Sequence, residues 1–266
     1  MTQDLLETIS NGVATLTMNR PESRNALSRD MVQAMHTALM RLATDPSIRL
    51  IVLTGTGRAF CSGGDVKGFA QAAAGAAPAM GFDQRVSDLR LRMEVSRLLH
   101  EMPKPTLAVI PGPAAGAGLS LALACDLRMA ADDAKLTTAF ARIGLSGDFG
   151  GSYFLSHLVG ASRARELYFT GRVVLANEAL QMGLVDRVAP PDQLTAAALQ
   201  WAQELASLPT VAVGYMKRNL NLGMRASLSD VLDAEAIHMV RTFDTEDHKG
   251  AAAAFVDKRQ PRFDGR

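Results

Sequence analysis

Two glycine-rich segments, each directly after an apolar run, hold the residues best suited to chemistry in this 266-residue chain. Residues 106–110 run into 111–126 (PGPAAGAGLSLALACD), and residues 48–54 run into 55–67 (GTGRAFCSGGDVK). Each pattern predicts a buried strand that turns into a helix and leaves backbone N–H groups unpaired. Two such turns can direct one N–H each at the same oxygen atom, as an oxyanion hole requires. A phosphate site, or simply tight packing of a helix on a sheet, remains an alternative.

Hydrophobic periodicity predicts the elements that would position these turns. Apolar runs predict strands at residues 12–18, 48–54, 106–110, 127–130, 135–138 and 184–188. Helical spacing predicts helices from the N-cap Ser28 through Leu42 and over residues 82–100, 119–125, 150–159, 162–170 and 177–182. Beyond Pro190-Pro191 the pattern is helical at 192–207, 210–221, 227–242 and 245–258. We therefore expect a mixed α/β body over 1–190 and a helical region over 191–266 that packs on neighbours.

Composition and charge argue against several classes of protein. A net charge of +1 does not suit a basic nucleic-acid-binding surface, and no apolar run approaches the roughly 20 residues of a membrane helix. The first residues lack the basic start and apolar core of a signal peptide. The two cysteines, Cys61 and Cys125, do not make a disulfide framework, and the histidines show no metal-ligand spacing. We expect a soluble, cytoplasmic protein without a metal.

A set of short motifs occurs along the chain in a fixed order. The set comprises Asn19-Arg20-Pro21 with Asn25-Ala26-Leu27, AFCSGGD at 59–65, AGAG at 115–118 with Cys125-Asp126, and residues 167–171 with 179–185. Together they resemble the crotonase (enoyl-CoA hydratase/isomerase) superfamily over essentially the whole chain. The resemblance implies an α/β fold, a spiral of ββα repeats, that binds an acyl-CoA thioester. It also implies homotrimers, often paired into hexamers, that are built partly by the helical tail.

The resemblance also assigns roles at the binding site. The N–H groups of Gly64 and Ala117 would hold the thioester carbonyl, while Asp65 would cap its turn and orient Gly64. The residues implied in holding the CoA or acyl group are Arg24, Ala26, Leu27, Ser62, Asp65, Val66, Lys67, Gly116, Ser120, Phe140, Lys258 and Arg259. The last two would meet CoA phosphates, sometimes across a subunit boundary, although a solvated basic helix end is the alternative. Asp126 is expected to be structural.

The carboxylates of this chain depart from the hydratase pattern of the family. Two glutamates add water in those hydratases, and the matching positions here are Ser120 and Phe140, neither of which can act as a carboxylate base. Asp148 occupies the place where isomerases of the family carry an aspartate. The ring-epoxide (phenylacetyl-CoA) isomerases resemble the chain further, with the same AAGAG turn and a single aspartate. The alternative for Asp148 is an N-cap of the following helix.

These observations together predict an acyl-CoA isomerase of fatty-acid or aromatic-acid catabolism. Asp148 would move a proton through an enolate that the two N–H groups stabilise, with no cofactor beyond the CoA of the substrate. A hydratase with another base and a non-catalytic acyl-CoA-binding protein are the alternatives. Ser120 would bond the substrate or Asp148, or serve only in packing. Residues 70–81 are either a flap over the site or an ordinary variable loop.

Overall fold

The strands of the structure follow the apolar runs of the sequence. The computed structural model describes residues 3–64 and 81–266. Its strands are β1 (Leu5–Ser10), β2 (Val13–Met18), β3 (Leu50–Gly55), β4 (Thr106–Ile110), β5 (Ala114–Ala115), β6 (Leu127–Ala131), β7 (Lys135–Thr137), β8 (Val174–Leu175) and β9 (Arg187–Ala189). The order β1-β2-β3-β4-β6-β9 forms the large sheet, and β5-β7-β8 forms a small one. The large sheet is parallel except for the β1–β2 pair.

Helices cover the sheets and form the C-terminal region. They are α1 (Arg29–Thr44), α2 (Phe82–Arg92), α3 (Glu94–Glu101), α4 (Ala117–Ala124), α5 (Gly151–Val159), α6 (Ala161–Thr170), α7 (Ala176–Gln181), α8 (Leu194–Ala206), α9 (Thr210–Gly223), α10 (Leu228–Phe243) and α11 (Glu246–Val256). Short 3-10 helices lie at Pro21–Ser23 and Phe140–Ile143. None of the helices in the described ranges combines the length and the apolar character that a membrane crossing needs.

The chain repeats one unit along the large sheet. A strand of that sheet is followed by a short extended pairing and then by a helix: β4 leads to β5 and α4, and β6 leads to β7 and α5. After β2 and β3 the short strand shrinks to isolated bridges, Leu27 with Gly64 and Cys61 with Ala114. This is the spiral of ββα repeats that the sequence predicts. Because successive units stack, the loops that follow neighbouring strands meet at one edge of the sheet.

Besides the two-residue strands β5 and β8, which the sequence does not predict, three local differences separate the structure from the prediction. The edge strand β1 was not expected, although Asn11 and Gly12 (φ 50° and 77°) make the two-residue hairpin turn that such dipeptides favour. The single helix expected over 82–100 is two helices that meet at Met93. The last strand begins at Arg187 rather than at 184, because the N–H groups of Leu184 and Val185 bond to Ala179. The other predicted strands and helices are confirmed within three residues at each end.

Buried charges tie the helical region to the body. Lys217 of α9 donates its ammonium to Asp126 (2.8 Å) and to the carbonyl oxygens of Leu99 and Lys104. The end of the chain returns to the body, where Arg49 donates to the carbonyl oxygen of Phe263 (2.6 Å). The division into two parts at residue 190 stays a prediction. The flap interpretation of residues 70–81 falls almost entirely on residues outside the described ranges, as do Asp65, Val66 and Lys67.

Helix α4 is the most enclosed element next to the two glycine-rich turns. All its residues are buried, and Gly118 lies so close to Cys61 that a side chain would overlap the carbonyl oxygen of that residue. The small residues of this segment therefore allow the helix to approach the backbone that follows β3.

Replacing Gly118 should separate these two backbones. We expect Gly118→Ala to lower the free energy of unfolding by about 1–3 kcal/mol, because the added methyl group meets backbone that cannot move cheaply. Gly250→Ala is the matched control, since nothing lies within 4 Å of its added carbon. In the middle of α11 it should stabilise the protein by about 0.5–1 kcal/mol. Chemical denaturation measures both values, and equal effects would contradict the packing argument.

Candidate active site

Backbone hydrogen bonds hold the two glycine-rich turns against each other. Ala115 donates its N–H to Cys61 (2.9 Å), and Phe60 donates to Pro113 (3.0 Å). Gly63, with φ +91°, crosses so near that an added carbon would lie 2.8 Å from the carbonyl oxygen of Ala115 and 3.3 Å from the nitrogen of Ala117. The turn after β3 and the start of α4 therefore meet at one place.

Neither the amide of Gly64 nor that of Ala117 has a backbone acceptor among residues 3–64 and 81–266. Ala117 is the first residue of α4, and its amide donates to no acceptor among the described residues; the same holds for the amide of Gly64. The N-terminus of α4 adds the positive end of a helix dipole. Converging N–H groups that carry no other hydrogen bond suit the stabilisation of a developing oxyanion. The two residues to which the resemblance gives this role therefore lie near each other, and the role itself stays a prediction.

The segment 23–27 packs beside the same turn. Leu27 donates its N–H to Gly63 (2.9 Å), and Ser62 donates its N–H to Arg24 (3.0 Å). The fully buried side chain of Asn25 holds the segment by donating to the carbonyl oxygens of Thr56 and Ala59. The structure therefore places Arg24, Ala26 and Leu27 next to Ser62 and Gly64, as a shared binding site for one ligand requires.

Asp148 lies in the loop before α5. Its Oδ1 atom is buried and has no hydrogen-bond partner within the described part of the chain. Burial raises the pKa of the carboxyl to about 6, with Arg92 opposing the shift. Helix α5 begins at Gly151 with Gly150 as its N-cap and has no side-chain cap bond. The alternative that Asp148 caps this helix is therefore wrong. A half-buried carboxyl with a raised pKa is suited to exchange protons near neutral pH.

The two positions that match the hydratase glutamates contain no carboxylate and are both buried. Ser120 donates its hydroxyl to the carbonyl oxygen of Gly116 (3.2 Å) and lies against Gly151, so it faces the loop that carries Asp148. Phe140 lies beside Gly116 and stacks on Tyr168, with ring centroids 6.0 Å apart. Neither position therefore supplies a second carboxylate near Asp148, and burial is the cause of its raised pKa.

Sequence reasoning missed two side chains near Asp148. The hydroxyl of Tyr168 lies against Gly151, and burial together with the charge of Asp148 raises the pKa of this tyrosine to about 12. Arg92 acts on Asp148 through its charge. Both residues belong to helices, and tertiary packing determines which side of each helix lies toward the loop. The only local signal for Tyr168 in the sequence is glycine at positions 147 and 151, where a larger side chain would overlap the tyrosine.

The remaining candidates lie apart from this place or have structural roles. Lys258 and Arg259 follow α11 and are exposed, Arg259 pairs with Asp257 (3.3 Å), and neither has a described contact with the two turns. Burial raises the pKa of both cysteine thiols to about 12, which disfavours the reactive thiolate. Asp126 accepts hydrogen bonds from the N–H of Thr106 (2.8 Å) and from Lys217, so its expected structural role is confirmed.

Comparisons with known proteins identify the family of this chain. The family model for enoyl-CoA hydratase/isomerase matches residues 8–266. The chain is 34% identical to the 1,2-epoxyphenylacetyl-CoA isomerase of Escherichia coli (strain K12), over 100% of both chains. It is 33% identical to the short-chain-enoyl-CoA hydratase of Clostridium acetobutylicum, over 93% of this chain and 92% of the other.

A solved structure shows the same fold. The enoyl-CoA hydratase from Bacillus anthracis has a TM-score of 0.91 and 30% identity, and the match covers 99% of this chain and 100% of that one. The expected crotonase-type architecture is thereby confirmed. An acyl-CoA thioester substrate is consistent with these relatives. The chain therefore belongs to the enoyl-CoA hydratase/isomerase family, and it is an enzyme of that family with the crotonase fold.

Proposed function

We propose that this enzyme is an acyl-CoA isomerase that moves a proton and a double bond through a thioester enolate. The observation that carries the proposal is Asp148, a half-buried carboxyl with one unpaired oxygen and a pKa raised to about 6. It is accompanied by Ser120 and Phe140 at the positions where the hydratases have glutamates. The name of the Escherichia coli relative, 1,2-epoxyphenylacetyl-CoA isomerase, supports the same choice.

The proposed steps need one base and one oxyanion hole. With a 3-enoyl-CoA, the Asp148 carboxylate takes a proton from the α-carbon, and the electron pair moves onto the thioester oxygen. The N–H groups of Gly64 and Ala117 stabilise that oxyanion. The protonated Asp148 then returns the proton to the γ-carbon while the electrons move back, which gives the 2-enoyl-CoA. Atoms and charge balance without any other reactant, so the proposal includes no cofactor beyond the CoA.

Hydration is the second candidate, because a hydratase is also among the relatives. Adding water requires one group to activate the water and another to protonate the α-carbon. Asp148 could serve only one of these steps, while Ser120 is committed to Gly116 and Phe140 has no titratable group. A protein that binds acyl-CoA without catalysis is the third candidate. This third candidate does not explain why a carboxyl of raised pKa lies near N–H groups that have no acceptor among the described residues.

The proposal includes the finer expectations about binding and assembly. The backbone of 24–27 and 64–67 would hold the pantetheine and adenine, Lys258 and Arg259 would meet CoA phosphates, and the protein would act in the cytoplasm in fatty-acid or aromatic-acid catabolism. The helical region has large apolar side chains on its surface, such as Leu220 (73% exposed), Leu228 (75%) and Phe255 (86%). Burying them against other copies would be favourable. We therefore propose a homotrimer or a dimer of trimers.

The isomerase proposal predicts the effect of removing the carboxylate. Asp148→Asn should lower the rate of hex-3-enoyl-CoA isomerisation by roughly 10²- to 10⁴-fold while acyl-CoA affinity changes little, because the N–H groups remain. NMR in heavy water follows the reaction: deuterium should enter at the α- or γ-carbon as the double bond moves. A 3-hydroxyacyl product from crotonyl-CoA would favour hydration instead. A variant that retains most of the wild-type rate would exclude Asp148 as the base.

The raised pKa of Asp148 also predicts a pH-dependent stability difference. Its folded pKa of about 6 lies above the ordinary 3.8, so the stability that this group contributes is present below about pH 4 and is lost as pH rises through 6. At pH 8 the unfolding free energy of Asp148→Asn should therefore be higher than that of the wild type by roughly 1–2 kcal/mol, a value reduced because the carboxyl is partly exposed. At pH 4 the two unfolding free energies should be nearly equal. Chemical denaturation at both pH values measures this, with exposed Asp192→Asn as control.

The proposed assembly predicts the mass in solution. Sedimentation velocity should give three or six times the chain mass of 28.4 kDa. Phe255→Asp should increase the monomer fraction, because it puts a charge where an apolar contact is expected. Met40→Asp is the control, since Met40 is also exposed (51%) but belongs to α1 of the body. A wild-type protein that sediments as a monomer would contradict the proposal.

A further inference from the structure

Arg225 is a cation without a carboxylate partner at a cleft between α3, α5 and the end of α9. The cleft has a volume of about 320 Å³. Within the described part of the chain, the guanidinium of Arg225 has no ion pair and no hydrogen bond. The other charged residues that line the cleft are balanced: Arg90 pairs with Glu94, and Arg97 pairs with Glu94 and Glu101. One positive charge is therefore left without a counter-charge among the described residues.

Ser96 is a second unsatisfied group in the same cleft. Its side chain is only 4% exposed, and its hydroxyl has no hydrogen-bond partner among residues 3–64 and 81–266. Buried polar groups are nearly always paired in folded proteins, so an unpaired one calls for an explanation. Because Ser96 and Arg225 line one cleft, a ligand that fills the cleft contacts both residues.

A hydrogen bond between helices fixes the position of Arg225 at the cleft. Asn221, in the last turn of α9, donates its side-chain N–H to the carbonyl oxygen of His100 in α3 (2.8 Å). Arg225 follows four residues later, and its own N–H donates to the carbonyl oxygen of Leu222 (3.0 Å). The backbone that carries the guanidinium is therefore held beside the cleft by its contact with α3.

Apolar and aromatic side chains form much of the cleft wall. They are Met93, His100, Phe149, Tyr153 and Phe154. The rings of Tyr153 and Phe154 meet edge to face with centroids 5.4 Å apart, and the ring of His100 meets Phe154 in the same way at 5.1 Å. Burial lowers the pKa of His100, so its ring adds no charge at neutral pH. Such walls suit an aromatic or aliphatic body.

A single unbalanced cation favours a ligand with a single negative charge. A guanidinium can bind a carboxylate through two parallel N–H groups, and a serine hydroxyl can donate one further hydrogen bond. A phosphate ester carries close to two negative charges at neutral pH, of which Arg225 would balance only one. A neutral ligand would leave the charge of Arg225 unpaired.

We infer that this cleft binds an organic carboxylate with an aromatic or aliphatic body, in which Arg225 pairs with the carboxylate and Ser96 donates a hydrogen bond to the same ligand. The carboxylate belongs either to a free acid or to the far end of an acyl group on CoA, since both present the same chemistry. Phe149 and Gly150, which line the cleft, directly follow Asp148 in the sequence. The inference needs only the cleft and does not depend on isomerase activity.

Binding of an acid and of its neutral amide tests the inference. The probes are 3-phenylpropanoate and 3-phenylpropanamide, which are alike in shape and differ in charge, and calorimetry on the full chain measures both dissociation constants. In the wild type the acid should bind about 10-fold more tightly than the amide, as expected for a charge-assisted pair with an arginine. A third probe, 2-phenylethyl phosphate, should bind no more tightly than the acid.

Three variants locate the binding site. Arg225→Gln should bring the ratio of the amide and acid dissociation constants close to 1. Arg218→Gln is the matched control and should retain the wild-type ratio, because Arg218 is also exposed on α9 but lines a neighbouring cavity and not this cleft. Ser96→Ala should weaken binding of the acid about threefold, as expected for one lost hydrogen bond. Thermal unfolding checks each variant, and the exposed Arg225 still tests the inference if Ser96→Ala fails to fold.

Two CoA thioesters identify the source of the carboxylate. If it is the far end of an acyl group, adipoyl-CoA should bind about 10-fold more tightly than hexanoyl-CoA, and Arg225→Gln should remove the difference. If it is a free acid, the two thioesters should bind alike, and saturating hexanoyl-CoA should leave the binding of 3-phenylpropanoate unchanged. Either result supports the inference.

Three results would overturn the inference. The first is equal affinity of the wild type for the acid and the amide. The second is a preference for the acid that Arg225→Gln leaves unchanged, because the acid would then bind elsewhere. The third is tighter binding of 2-phenylethyl phosphate than of the acid, which would replace the carboxylate by a phosphate. None of them depends on whether hex-3-enoyl-CoA is isomerised, so the inference and the proposed function can fail separately.

Discussion

The close contact between the backbone at 61–64 and the start of α4 is the constraint on which the site depends. It requires Gly118 to have no side chain, and it places Gly63 in a left-handed conformation against Ala115. Because α4 is buried along its whole length, the direction of its N-terminus is fixed by packing. The two free N–H groups are therefore oriented before any ligand binds. Such preorganisation is what makes an oxyanion hole effective, since no reorganisation is needed during the reaction.

The surroundings of Asp148 have the opposite effect on negative charge from that of the two N–H groups. The N–H groups would stabilise charge, whereas burial hinders ionisation of the Asp148 carboxyl. A carboxyl in water would be too weak a base to take a proton from carbon at neutral pH. Raising its pKa costs folding stability and brings its basicity closer to the task. A residue kept at such a cost, without a structural bond, is explained better by chemistry than by packing.

The parts of the site that depend on local backbone could be predicted from the sequence. The parts that depend on which side of a helix packs toward the site could not. Small residues after an apolar run signalled both turns, and the motif order assigned Gly64 and Ala117. Asp148 needed the resemblance, because its segment alone equally fits a helix cap. Arg92 and Tyr168 are ordinary helix residues in the sequence, and only the folded structure brings them within electrostatic reach of Asp148. The break at Met93 likewise has no glycine or proline to announce it.

This separation also explains how one fold can serve several reactions. The two glycine-rich turns are set by backbone contacts and small residues, so in the proposed mechanism they supply the step of stabilising a thioester oxyanion. The carboxyl position, by contrast, is a side chain on the loop before α5, and a change of that residue need not move the turns. Reaction type and acyl preference can therefore change independently of the oxyanion hole. In this chain, Ser120 and Phe140 stand at the positions where the hydratases have glutamates, while the two glycine-rich turns are held together by backbone hydrogen bonds.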